Sequence, residues 1–314
     1  MFKQVEIPGK GQGLVATAKL PVGTTVIEES PILIAEKNED VLFPFNMQQV
    51  INNFRRLTDE QKNQVLSLND PGPNSLLGKK LPTALAYGTD PKVLRIFAGN
   101  CILLCAHPEM NVNKSGLYMT ISRINHSCAP NVVWSWLLKD KSRSVKQLRV
   151  IREIKEGEEI LASYLVDGNR FPSRGERQMK LRATWNFTCN CEVCSLTGEE
   201  LKKNEDGRRK IQELHDAIPI KASIDQNELA LKDAKEKLKV LKSMKKEMIL
   251  YILAALMECC ELAAHCKLPS SSYAELMKKA KEMSEHNGDV ATWFYNAKEK
   301  KIRKEERRNG FHVK

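Results

Sequence analysis

The sequence predicts an α+β protein: a β-rich N-terminal two thirds carrying a helical insert, followed by an all-helical C-terminal region. Three observations point there. Short apolar runs bounded by Gly and Pro fill the first 35 residues and return between residues 116 and 165. Helical spacing takes over between residues 46 and 68. From residue 197 onward no β signal appears, and residues 224–266 form one long amphipathic stretch without Pro or Gly.

Taken in order, LVAT, TVIEE and ILIAE read as strands, with turns at Gly9 to Gly13, at Pro21 and Gly23, and at Pro31. Val50, Phe54, Leu57, Gln61, Val65 and Leu68 then mark one helix, which DPGPNSLLGKKLP ends. A second helix is expected over residues 90–104. β signals return at GLYMTI, NVVWSWLL, KQLRVI and EILASYL, with a tight turn at EIKEGEE between the last two. A helix over 173–184 leads into WNFTCNCEVC. Beyond the long helical stretch Pro269 breaks the chain, and Ser272 with Glu275 offers a capping box for the next helix. A last helix is expected from near Asp289 to a C-cap at Gly310. No repeat of fixed period runs through the chain.

The composition, 42% hydrophobic and 28% charged over 314 residues, is that of a globular protein. No apolar run reads as a bilayer span, and MFKQVEIPGKGQG lacks the apolar core of a secretory signal. Cytoplasm and/or nucleus is the expected location, and no membrane partner is expected. The net charge of +11 suits nucleic acid or an acidic protein surface alike. Much of the excess lies in KLKVLKSMKK and KEKKIRKEERR, read first as solvated helix faces. The tail also offers a nuclear localisation signal.

Nine cysteines in a reducing compartment are thiols or metal ligands. Cys189, Cys191 and Cys194 form C-x-C-x-x-C, a spacing that can aim three sulfurs at one zinc ion. The fourth ligand is open among Cys101, Cys105, Cys128 and the histidines. Cys128 is favoured because it sits in a polar bend, SRINHSCAPNVV, rather than on an apolar face. Cys259, Cys260 and Cys266 lie in an apolar helix and read as core, with His265 at the surface. GKGQG matches neither a Walker loop nor a dinucleotide fingerprint. Its use is bare backbone at Gly11 and Gly13 that can approach a ligand closely, flanked by Lys10 and Gln12.

Three signals thus occur in fixed order: KGQGL from Lys10, RINHSCAPN from Arg123, and GEEILASY ending at Tyr164, trailed by CNCEVC. This order resembles the SET-domain protein-lysine methyltransferases. GLYMTISR before NHSC, and the aromatic pair Trp185 and Phe187 before the cysteines, are most similar to the SET-and-MYND branch. The MYND finger of that branch is missing, since no cysteine precedes Cys101. Its partner-binding and DNA-binding activities are therefore not carried over.

The resemblance implies a β-rich SET domain over residues 1–170 with a pseudoknot and a helical insert at about 44–98. A zinc-bound post-SET segment over 171–196 and a C-terminal helical domain over 197–314 follow. It implies S-adenosyl-L-methionine as cofactor and a lysine-bearing protein or peptide as substrate, histone or non-histone, with direct nucleic-acid binding not expected. Tyr164 is implied as the catalytic residue and as a cofactor contact. Lys10, Gln12, Asn100, Asn125, His126 and Phe187 are implied to hold the cofactor, Asn125 and His126 through side-chain and main-chain hydrogen bonds. Trp185 and Tyr118 are implied to line the substrate channel. Cys128, Cys189, Cys191 and Cys194 are implied to hold a structural zinc. Against an active enzyme stand two other readings. A catalytically idle SET scaffold used for protein interaction is disfavoured by the presence of Asn125, His126, Tyr164 and Phe187. A zinc-stabilised nucleic-acid binder is weaker still, for want of a recognition motif.

Overall fold

The computed structural model describes residues 1–36, 45–79, 91–103, 114–136, 145–165 and 170–311. The chain opens with an antiparallel hairpin, β1 (Phe2–Ile7) and β2 (Gly11–Ala16), in register from Phe2↔Ala16 to Ile7↔Gly11. GKGQG is thus a hairpin turn rather than a free loop. Gly9 and Gly11 take φ of 73° and 72°, a region only Gly enters without strain.

Two three-stranded antiparallel sheets follow. One orders β3 (Thr25–Glu29), β9 (Lys146–Val150) and β8 (Val132–Trp136). The other orders β4 (Leu33–Glu36), β6 (Lys114–Leu117) and β5 (Ile102–Leu103). The crossing that shapes the site is a short parallel pair between β7 (Asn125–His126) and β10 (Leu161–Ala162), with Leu161 opposite Asn125 and Ala162 opposite His126. Asn131, fully buried, locks it: Nδ2 donates to the Glu159 carbonyl at 2.8 Å, and Oδ1 accepts from the Leu161 N–H at 2.8 Å.

The insert holds α1 (Met47–Arg55), α2 (Asp59–Leu66), α3 (Leu76–Lys79) and most of α4 (Pro91–Asn100). The single helix expected over 46–68 is two. Thr58 and Gln61 form a capping box that starts α2, so the chain turns at Arg56. Val50, Ile51, Val65, Leu94 and Phe97 pack this layer against Leu33 and Leu117 of the second sheet.

The first helix after residue 165 is α5 (Arg174–Trp185), capped by Ser173 and Glu176 and ended by Asn186 at φ 59°. The C-terminal region is α6 (Gly198–Ser223), α7 (Asn227–Ser243), α8 (Lys245–His265), α9 (Ala274–Asn287) and α10 (Asp289–Arg308). Two expectations are corrected. The stretch 224–266 breaks at Met244 into α7 and α8, with no Pro or Gly to announce it. Ser272 caps nothing; its Oγ donates to the Pro269 carbonyl at 2.7 Å within a 3-10 turn, and α9 starts at Ala274.

Lys246–His265 is, against expectation, long and apolar enough to pass the length and composition test for a membrane span. Its apolar side chains account for themselves in packing: Met248, Ile252, Leu256, Cys259 and Cys260 are buried in the core of the helical region. His265 Nδ1 lies 2.7 Å from the Glu261 carbonyl in the turn before it.

Candidate active site

Two cavities meet at the β7–β10 crossing. The first, about 490 Å³, is walled by the β1–β2 turn, the 67–71 loop, the NHSC bend and residues 185–190. The second, about 690 Å³, lies between β8 and the helices α8 and α10. Gly99, Asn100, Ser122, Tyr164 and Trp185 wall both.

Tyr164 follows β10 directly, so the crossing sets its place. Its hydroxyl donates to the Ile124 carbonyl at 2.6 Å. Burial, helped by the nearby Glu159 carboxylate, pushes the phenol well above its ordinary pKa, so it stays protonated. Its ring packs 5.2 Å from Trp185 and 5.2 Å from His126, with Phe187 edge-on at 6.3 Å. Trp185 is oriented by Nε1 donating to the Gly99 carbonyl at 2.8 Å.

Around the first cavity the polar residues fix one another. Glu159 accepts from Lys10 Nζ at 2.7 Å and from Asn125 Nδ2 at 2.9 Å. Asn125 Nδ2 also reaches the Gln12 carbonyl at 3.3 Å. The gap for this contact exists because residue 13 is Gly: a Cβ there would stand 2.9 Å from Asn125 Nδ2 and 2.6 Å from Ile7 Cγ1. Gln12 Oε1 accepts from Gln4 at 2.9 Å. Lys10 and Gln12 therefore line the cavity with Nζ and Oε1 already partnered, beside the bare backbone of the turn. Asn100 donates to the Ile96 and Asn69 carbonyls at 2.7 and 2.8 Å, which ties α4 to the 67–71 loop. Arg123 fastens the same loop by donating to Ser67 at 2.9 and 2.6 Å.

His126 lines the first cavity and holds Tyr164 through its ring. Nδ1 accepts from the Tyr164 N–H at 3.0 Å, so the ring proton sits on Nε2, which faces Cys128 Sγ at 3.4 Å. Burial pulls its pKa down to about 4, so the ring is neutral. Both ring nitrogens thus have internal partners, with the residue at the wall of the first cavity. Tyr118 is corrected. It is 0% exposed, packed with Leu14, Ile121 and Ile124, and walls neither cavity. The Gly116 backbone leaves room for its ring, which turns it inward.

The sulfurs of Cys128, Cys189, Cys191 and Cys194 all lie within 4.8 Å of one another. Tetrahedral zinc with Zn–S bonds of ~2.3 Å requires sulfur–sulfur edges of about 3.8 Å, and Cys128 and Cys194 stand 3.5 Å apart. Four thiols and no open position fit a structural zinc. Hydrogen bonds from Cys128, Cys189 and Cys194 draw Cys191 far below an ordinary thiol, while those with Cys189, Cys191 and Cys194 push Cys128 far above it, a proton-sharing set that a metal would replace. Cys105, an alternative fourth ligand, lies outside the described residues; Cys101 is at the second cavity instead.

Sequence reasoning missed several supports. Glu159 and Asn131 stand inside the motifs but carry no role in them by type alone. Glu29 accepts from the Thr120 and Ile121 N–H groups, both at 2.9 Å, and so starts the 3-10 turn Ile121–Arg123 that delivers the NHSC bend. Arg177 in α5 reaches Cys194 Sγ at 3.9 Å.

A family model described as the SET domain matches residues 11–165. The chain carries a SET domain. The relatives of this SET protein include "Histone-lysine N-methyltransferase set5" of Schizosaccharomyces pombe, 26% identical over 71% of the chain and 60% of that protein. "Protein-lysine N-trimethyltransferase SMYD5" of Gallus gallus is 37% identical over 29% of the chain and 21% of its own length. The chain thus spans 60% of the first of these relatives and 21% of the second, in both cases less than two thirds. A solved structure, "Crystal structure of the SET domain of LSMT bound to Lysine and AdoHcy", aligns with 98% of the chain and 90% of its own at 11% identity, with a TM-score of 0.34, a likeness too loose to carry detail across.

Proposed function

We propose that this SET protein is an S-adenosylmethionine-dependent protein-lysine N-methyltransferase. The observation that carries the reading is that Tyr164 and Trp185 wall two separate cavities at once. A cofactor in the polar cavity and a lysine arriving through the apolar groove would meet at that wall. S-adenosylmethionine, when bound, supplies an electrophilic methyl group on a sulfonium. The β1–β2 backbone, Asn100, the NHSC backbone and Phe187 are the groups placed to hold it.

The lysine must arrive without its proton, because an ammonium has no lone pair. Ile124, Val132, Trp134, Leu253 and Phe294 make the groove apolar. Such a wall disfavours the charged form and lowers the amine pKa from ~10.4. Tyr164 directs its O–H to the Ile124 carbonyl, so its oxygen presents lone pairs that can orient the amine or the methyl hydrogens. With nitrogen, methyl and sulfur held in line, positioning supplies much of the rate, and no covalent enzyme intermediate is needed.

Calorimetry with S-adenosylmethionine and tritium transfer to a protein extract test this. Wild-type protein is expected to bind and label. Tyr164→Phe is expected to keep the cofactor affinity and lose about 10²-fold or more in labelling. Zinc-loaded, folded protein that binds no cofactor would overturn the reading.

A further inference from the structure

The groove wall facing Tyr164 belongs partly to the helical region, and its position depends on a contact that no motif announces. Arg149 sits in the central strand β9, opposite Thr25 on β3 and Val133 on β8. Its guanidinium reaches the end of α9. Nε donates to the His286 carbonyl at 3.2 Å, Nη2 to the Glu285 carbonyl at 3.1 Å, and Nη1 to Thr25 Oγ1 at 2.7 Å. The last carbonyls of a helix lack partners within it and carry the negative end of its dipole, so a cation there answers both needs.

Gly288 sits immediately beyond. A Cβ at that position would stand 2.6 Å from Ser135 Oγ and 3.4 Å from Arg149 Cγ, and its φ of 96° is barred to other residues. The bare backbone lets the α9–α10 corner lie directly on β8. From that corner Asn287, Ala291 and Phe294 enter the groove wall. Arg149 itself is not among the residues that wall either cavity.

We propose that Arg149 is a positioning residue for the protein substrate: it pins the α9–α10 corner to the sheet and so sets the width of the groove through which the lysine reaches Tyr164. Gly288 is the second half of the same latch. The proposal rests on the methyltransferase reading of the site. A shifted corner moves one wall of the groove and leaves the cofactor cavity, built from the β1–β2 turn and the NHSC bend, in place.

The test compares wild type with Arg149→Ala, Arg149→Lys and Gly288→Ala, each checked for its melting temperature. The probes are S-adenosylmethionine by calorimetry, tritium transfer to a degenerate peptide mixture with one central lysine, and amide exchange over residues 285–294. Arg149→Ala is expected to raise the apparent peptide KM about tenfold and to hold the cofactor Kd within about twofold. Exchange over 285–294 should quicken. Lysine reaches one carbonyl rather than two and should recover part of the KM. Gly288→Ala should act like Arg149→Ala through an independent clash. An unchanged peptide KM, or a cofactor Kd that rises as much as the KM, would overturn the proposal. Wild-type protein that binds no cofactor would remove the enzyme reading alone; the latch would then stand or fall on whether Arg149→Ala quickens exchange at the corner.

Discussion

At the scale of single residues, the site is governed by where each hydrogen-bonding atom is already committed. His126 and Tyr164 show it: the ring of one holds the backbone of the other, and the phenol of Tyr164 holds Ile124. Asp70, at the edge of the first cavity, is the residue whose commitment is readable by pH. It accepts from Arg95 Nε and Nη2 at 2.8 and 2.7 Å and from the Gly72 N–H at 2.9 Å. Burial alone would raise its pKa, but the Arg95 fork and the Gly72 N–H outweigh burial and hold it below 3.8. A carboxyl depressed on folding stabilises the native state above its unfolded pKa, and that contribution fades as pH falls through the folded value. Asp70→Asn is therefore expected to cost about 1 kcal/mol at pH 7, after allowing for solvent screening, and progressively less below pH ~3.8. Thermal melts of both proteins across pH 2.5 to 7 check it; a gap that persists unchanged at the acid end would contradict it.

At the scale of elements, the NHSC bend joins the thiol cluster and the first cavity on one piece of backbone. Asn125 holds the β1–β2 turn, His126 holds Tyr164, and Cys128 completes the thiol cluster two residues later. Cys128→Ser is expected to lower zinc content and also to weaken S-adenosylmethionine binding about tenfold, although its sulfur lines neither cavity. Metal analysis and calorimetry on the same preparation decide it: a variant that loses zinc yet binds cofactor like wild type would separate the two sites. The motifs were legible because each needs unusual types in a short span: three cysteines in six residues, an Asn-His-Ser-Cys bend, glycines in a turn. Tyr118 and the helix break at Met244 were not legible, for different reasons. Nothing in GLYMTI says which way the ring turns; the Gly116 backbone and the Ile121 layer decide that across the fold. Met244 carries no breaker, and the break follows from packing α7 and α8 as neighbours around one core. Arg149 and Gly288 were likewise invisible, because their partners lie more than a hundred residues away in sequence.

At the scale of the whole molecule, buried charge ties the thiol cluster to the helical region. Arg177, only 3% exposed, donates to the Pro172 carbonyl at 2.9 Å, and Arg208 of α6 approaches the same carbonyl at 3.5 Å. Arg208 pairs with Glu247 of α8 at 3.3 Å, and Asn204 links the two, accepting from Arg208 at 3.0 Å and donating to Glu247 at 2.5 Å. Two guanidinium groups converging on one carbonyl repel unless anions flank them. Glu247 stands on one side, and on the other stand thiols that become thiolates when zinc binds. Removing zinc would leave Arg177 buried beside fewer thiolates, and an uncompensated buried charge costs up to roughly 3–5 kcal/mol. Chelation is therefore expected to loosen α5 and α6 together with the cysteine segment, lowering the melting temperature by roughly 5–10 °C and splitting one calorimetric transition into two. Glu247→Gln strips the opposite flank and should lower the melting temperature while zinc content stays full. If chelation shifts no part of the helical melting, the thiol cluster is a local brace, and the helical region holds its place through its other contacts, the Arg149 corner and the Phe171 and Arg174 hydrogen bonds to α6 among them.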